Sequence, residues 1–107
     1  MRKLLPIFIA SVFLFSCVDK TPIPESQKDY VGIWSAGDDS WIRIDQDGTG
    51  SFKIPNSNMS GASVEITDSH IVISIMGLDA GFKIDQSPHQ DNGQWVMQLD
   101  GVNYYKQ

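Results

Sequence analysis

From Tyr30 onward the chain is a succession of short apolar or alternating runs, broken about every ten residues by Gly, Asp, Asn or Ser. Alternation with a period of two marks a half-buried strand, whereas an amphipathic helix would repeat its apolar positions every three to four residues. The pattern predicts strands over Tyr30–Ser35, Ser40–Asp45, Ser51–Ile54, Ala62–Thr67, Ile71–Met76, Ala80–Asp85, Trp95–Asp100 and Val102–Lys106. Ile42 and Ile44 share one face, with Trp41, Arg43 and Asp45 on the other. Val64, Ile66, Phe82 and Ile84 point inward, and Ile71, Ile73 and Ile75 form the most buried row. Asp47-Gly48, Asp68-Ser69-His70, Gly77–Asp79 and Asp100-Gly101 are the turns. Pro55–Gly61 and Gln86–Gly93 are expected to be loops, the second the longest. Eight short strands joined hairpin to hairpin make an all-β antiparallel meander, which protects its edges by curling into a small barrel or a sandwich.

The first 16 residues follow another rule. Arg2 and Lys3 precede an apolar run from Leu4 to Phe15, and Ser16 stands before Cys17, the single cysteine. Charge, apolar stretch and small residue in that order predict a signal peptide over 1–16. The run is about a dozen residues, short of the roughly 20 that a membrane-spanning helix needs. Leu14-Phe15-Ser16-Cys17 resembles the lipobox of bacterial lipoproteins, with Phe15 standing where that motif usually carries a small or β-branched residue. The resemblance implies a diacylglycerol on the sulfur of Cys17, a bacterial envelope location and, with Val18 rather than Asp next, the outer membrane facing the periplasm. A lone cysteine in an exported protein is otherwise an unpaired thiol. Residues 17–29 then read as the lipidated cysteine and a flexible tether, with Pro22 and Pro24 among charged and amide side chains and no period. Fully extended as polyproline II, it would reach about 35 Å. The β domain occupies 30–107.

Charge narrows the partners. The signal takes two of the 8 basic residues and none of the 13 acidic ones, so the remainder carries a formal charge of −7. Such a domain lacks the cations that neutralise phosphates, which excludes nucleic acid and an electrostatic hold on anionic lipid. Membrane attachment then rests on the anchor at Cys17.

Within the first strand, Tyr30-Val31-Gly32-Ile33-Trp34 resembles the Gly-x-Trp signature of lipocalins and related small barrels. The resemblance implies that Gly32 and Trp34 plug one end of a barrel, and that a basic residue late in the chain packs over the tryptophan. Lys106 is the only candidate. A barrel this short would be filled mostly by its own side chains.

Asp45-Gln46-Asp47-Gly48-Thr49-Gly50-Ser51-Phe52 resembles the start of an EF-hand calcium loop, but the twelfth position is Asn56 where a bidentate Glu belongs, and both flanks read as strands. A hairpin turn with positive φ at Gly48 accounts for the same residues. His70 and His89 lack metal-ligand spacing, no Gly-x-Ser-x-Gly is present, and the carboxylates of Asp38, Asp39, Asp45 and Asp47 read as solubilising loops. No metal, cofactor or enzymatic turnover is expected.

Exposed aromatics carry the functional expectation. Trp41 is either turned outward beside Arg43 or covered by a second layer, and one of Tyr104 and Tyr105 must face out. Trp, Tyr and Arg are the usual anchors of protein interfaces. The expectation is a non-enzymatic module in which Trp41, Arg43, Tyr105 and the acidic Asp38 and Asp39 engage an envelope protein, as an inhibitor or immunity factor would. A lipocalin-like carrier of a small apolar ligand and a structural subunit of an envelope complex are the alternatives.

Overall fold

The structure, a computed structural model, describes residues 20–107. Signal segment 1–16, Cys17 and Val18 lie outside the described residues. Eight antiparallel strands follow one another round a closed barrel: β1 (Gly32–Ser35), β2 (Trp41–Ile44), β3 (Thr49–Ile54), β4 (Ser57–Ile66), β5 (His70–Ile75), β6 (Leu78–Asp91), β7 (Gln94–Leu99) and β8 (Val102–Lys106). Each strand pairs with its sequence neighbour, and the last returns to the first through Trp34 opposite Lys106 and Ser35 opposite Tyr105. Closure leaves no long unpaired edge, which decides between barrel and sandwich.

Alternation places the apolar residues as the pattern predicts. Trp34, Ile42, Ile44, Phe52, Ile71, Ile73, Met97 and Leu99 are fully buried, and the rings of Phe52 and Phe82 meet edge to face at 5.2 Å. Ile75 and Ile84, expected in the inner rows, are only partly buried.

Two expected loops are strand. Ser57–Gly61 belongs to β4, since Phe52, Lys53 and Ile54 pair with Met59, Asn58 and Ser57, and Pro55-Asn56 alone makes the turn. Gln86–Asp91 continues β6, pairing with β7 up to Asp91 opposite Gln94. Register shifts between Ile84 and Gln86 and between Gln86 and His89 absorb the mismatch and accommodate Pro88, which has no N–H to give a ladder. Asn92-Gly93 and Asp100-Gly101 both have positive φ at the two central positions, the conformation that suits a two-residue hairpin.

The largest departure precedes β1. From Thr21 the segment expected to be a tether lies across one end of the barrel, and Glu25–Tyr30 forms a 3-10 helical stretch. Ile23 is only 4% exposed and belongs to the core. Its N–H donates to the Gln46 carbonyl at 2.9 Å, and the Gln46 side-chain amide donates back to the Ile23 carbonyl at 2.9 Å. The Gln27 amide caps the Ile66 carbonyl at 3.0 Å. Gly48, at φ 91°, makes the crossing possible, because a Cβ there would sit on the Thr21 carbonyl. One buried isoleucine between two prolines thus turns a polar stretch into a strap across the barrel end. The opposite end carries the β1–β2, β3–β4, β5–β6 and β7–β8 connections and is its mouth.

Candidate functional site

Trp34 lies at the strapped end, fully buried, its indole N–H donating to the Tyr30 carbonyl at 2.9 Å. Lys106, opposite it in register, places its ammonium 5.0 Å from the Trp34 ring and 5.1 Å from that of Trp95, and donates to the Asp29 carbonyl at 3.0 Å. A cation over two aromatic faces is held by their quadrupoles. Gly32, at φ 144°, leaves room for the lysine stem, which a Cβ would meet at 3.3 Å. Gly32, Trp34 and Lys106 are therefore brought together at the strapped end.

The outer wall collects a different set. Register runs Val96, Tyr105, Ser35, Trp41 and Lys53 in one row across β7, β8, β1, β2 and β3, all on the outward face. Ser35 separates Trp41 from Tyr105, and two strand spacings put the aromatic residues about 10 Å apart. Tyr105 is 38% exposed and Trp41 half-buried; Ile33, next in the outward row and opposite Arg43, is 49% exposed. Trp41 is therefore neither a core residue nor covered by a second sheet. Arg43 stands on this wall with its Nε 3.3 Å from the Asp45 carboxylate and its Nη2 donating to the Ser51 hydroxyl at 3.3 Å.

Asp38 and Asp39 stand apart from that row, in the exposed β1–β2 connection at the mouth. The Asp38 carboxylate accepts the Ser40 N–H at 3.0 Å, and hydrogen bonds from Ser40 hold its pKa below the ordinary value. The rim around Trp41 is consequently mixed, with acidic Asp38 and Asp39 towards the mouth and basic Arg43 and Lys53 along the wall. Sequence alone could not assign those sides, since they depend on register.

The mouth itself was missed by sequence reasoning. A cleft of about 190 Å³ opens between the β1–β2, β3–β4 and β7–β8 connections, with Phe82, Leu99 and Tyr104 beneath it and Asp38 and Asp100 beside it. Tyr104 is 4% exposed, and its pKa is raised by burial first and then by the charges of Asp38 and Asp100.

The Asp45–Thr49 segment is a tight turn. The Thr49 hydroxyl donates to Asp47 at 2.7 Å and lies 3.0 Å from Asp45, and Lys20 lies 3.3 Å from Asp47. These bonds and the Lys20 charge keep the Asp47 pKa below its ordinary value. His70 contacts the Ser69 hydroxyl at 2.8 Å and His89 the Ser87 carbonyl at 2.8 Å; both are exposed, on the neighbouring strands β5 and β6, where His70 pairs with Lys83, six positions before His89.

Comparison of the chain with protein-family models, curated proteins and solved structures returns no match. The class is therefore defined by geometry: a small, closed, eight-stranded antiparallel barrel with one strapped end and one open end.

Proposed function

We propose that this chain is a lipid-anchored protein of a bacterial envelope whose barrel works by binding a protein partner, without turnover. The observation that supports this reading is the outward row in which Trp41 and Tyr105 flank Ser35 with Ile33 beside them. Large, rigid, partly exposed aromatics round a small residue offer contact area at little entropic cost. A net negative charge steers a basic partner towards them. Attachment through Cys17 keeps the protein at the membrane, in the outer membrane on the periplasmic side. The arrangement of Gly32, Trp34 and Lys106 supports describing the barrel as lipocalin-like. A carrier role fits less well, since Trp34, Phe52, Met97 and Leu99 fill the barrel axis.

A pull-down from detergent-solubilised envelope, with wild type beside Trp41→Ala, tests the reading. One protein recovered with wild type and lost with the variant is the expected result. A small hydrophobic molecule co-purifying with both, and no protein with either, would overturn it in favour of the carrier.

A further inference from the structure

The mouth of the barrel combines an apolar floor with the side-chain oxygens of Asp38, Asp100 and Tyr104. Tyr104 is almost wholly buried, and its hydroxyl, open to solvent, makes no hydrogen bond among the described residues. Asp38 and Asp100 are near enough to act on that hydroxyl electrostatically, and neither forms an ion pair among the described residues. Each is held in direction by a backbone donor, Asp38 by the Ser40 N–H at 3.0 Å and Asp100 by the Lys83 N–H at 3.1 Å. Lys53 lines an adjoining cleft of about 90 Å³ that shares Asp38, Ser40, Ile54 and Pro55 with the mouth, and it forms no ion pair with Asp38.

Size and chemistry together select the occupant. At about 190 Å³ the cleft is smaller than the roughly 300–1,000 Å³ of sites that enclose a whole small molecule. It has room for one side chain. Phe82 and Leu99 would cover an aliphatic stem, and the convergent oxygens would accept from a head that carries only donors, which describes lysine and arginine. We propose that the mouth is a socket for one lysine or arginine side chain of the protein partner, the stem on Phe82 and Leu99 and the cation among Asp38, Asp100 and Tyr104. This rests on the protein-binding reading above. The socket is continuous with the outer wall: Ser40, which lines it, precedes Trp41, and Tyr104 precedes Tyr105. A partner lying on Trp41 and Tyr105 could therefore reach over the β1–β2 connection into the mouth.

The test is a titration of the full chain, isotopically labelled in neutral detergent micelles, followed through backbone amide shifts. The probes are N-acetyl-arginine amide, N-acetyl-lysine amide, the uncharged N-acetyl-norleucine amide, and free butylamine. The expected result is saturable shifts at Ser40, Leu99 and Tyr104 with the arginine or lysine amide, and binding of norleucine amide at least fivefold weaker. An exposed carboxylate–cation pair counts for up to about a fivefold change, so Asp38→Asn with Asp100→Asn should weaken the charged probes, by up to about 25-fold, and leave norleucine amide unmoved. No saturable shift at the mouth, or equal binding of norleucine amide, would overturn the socket. Butylamine binding more tightly than either amino-acid amide would assign the site to a free amine instead of a partner protein. Trp41→Ala should leave this titration unchanged while abolishing partner capture, so failure of the socket and failure of the protein-binding reading are separately visible.

Discussion

Replacing Ile23 by alanine asks whether the strap belongs to the folded domain. The side chain is 4% exposed and packs into the same core as Val64 and Ile66. Ile→Ala removes three carbons, which at about 0.8 kcal/mol each amounts to about 2.4 kcal/mol of lost burial. The cavity contribution is small here, because the vacated space adjoins an open cleft of about 230 Å³ lined by Pro22, Pro24, Gln27 and Val64. The expected loss is therefore about 2–3 kcal/mol, at the low end of the range for such truncations. In a domain of this size that is about 10–20 °C in Tm. Chemical and thermal denaturation would measure it, with Lys53→Ala as a surface control expected to stay within about 0.5 kcal/mol. Gly48→Ala attacks the same contact from the barrel side and should release the strap, exposing the Ile23 N–H to rapid hydrogen exchange while the β4 and β5 amides stay protected. An Ile23→Ala variant as stable as the Lys53→Ala control, with the wild-type Ile23 amide exchanging at the rate of an open chain, would refute the reasoning. Residues 21–29 would then be the tether that their composition suggests.

Tyr30 and Tyr104 both have pKa values raised above 10.0 by burial. The folded state then holds those protons more tightly than the unfolded chain, so stability is intact below pH 10 and falls as pH rises through the raised folded values. Denaturation midpoints from pH 9 to pH 12 should show this decline, flattened in Tyr104→Phe; equal slopes in both proteins would contradict it. Cys17→Ser should leave the protein unprocessed or shift it out of the membrane fraction, and unchanged mobility and membrane association on gel and fractionation would count against lipidation.

The barrel was legible in the chain because strand alternation is a local property. Ile42 and Ile44, Val64 and Ile66, Ile71 and Ile73 declare an inner face by spacing alone, and Asp100-Gly101 declares its turn by the conformations those residues tolerate. Strands with weak intrinsic preference were not legible. Ser57–Gly61 is rich in Asn, Ser and Gly and Gln86–Asp91 contains Pro88, so both resemble loops until β3 and β7 supply ladder partners. Asn92-Gly93 was the available signal for the second, a two-residue turn with strand to either side. Pro22-Ile23-Pro24 was the available signal for the strap, but one apolar residue has no period, and its burial depends on a gap at Gly48 some 25 positions later in the chain.

The candidate sites divide along the same line. Sequence by itself determined that Trp41 and Arg43 share a face opposite Ile42 and Ile44 and that one C-terminal tyrosine turns outward. Only the tertiary structure decided that Tyr105 is the outward one, that Ser35 sets it about 10 Å from Trp41, and that Asp38, Asp100 and Tyr104 meet at the mouth. The reason is physical: the face of a residue follows from a two-residue period within one strand, whereas neighbours across strands follow from register and closure, which contacts between distant parts of the chain decide.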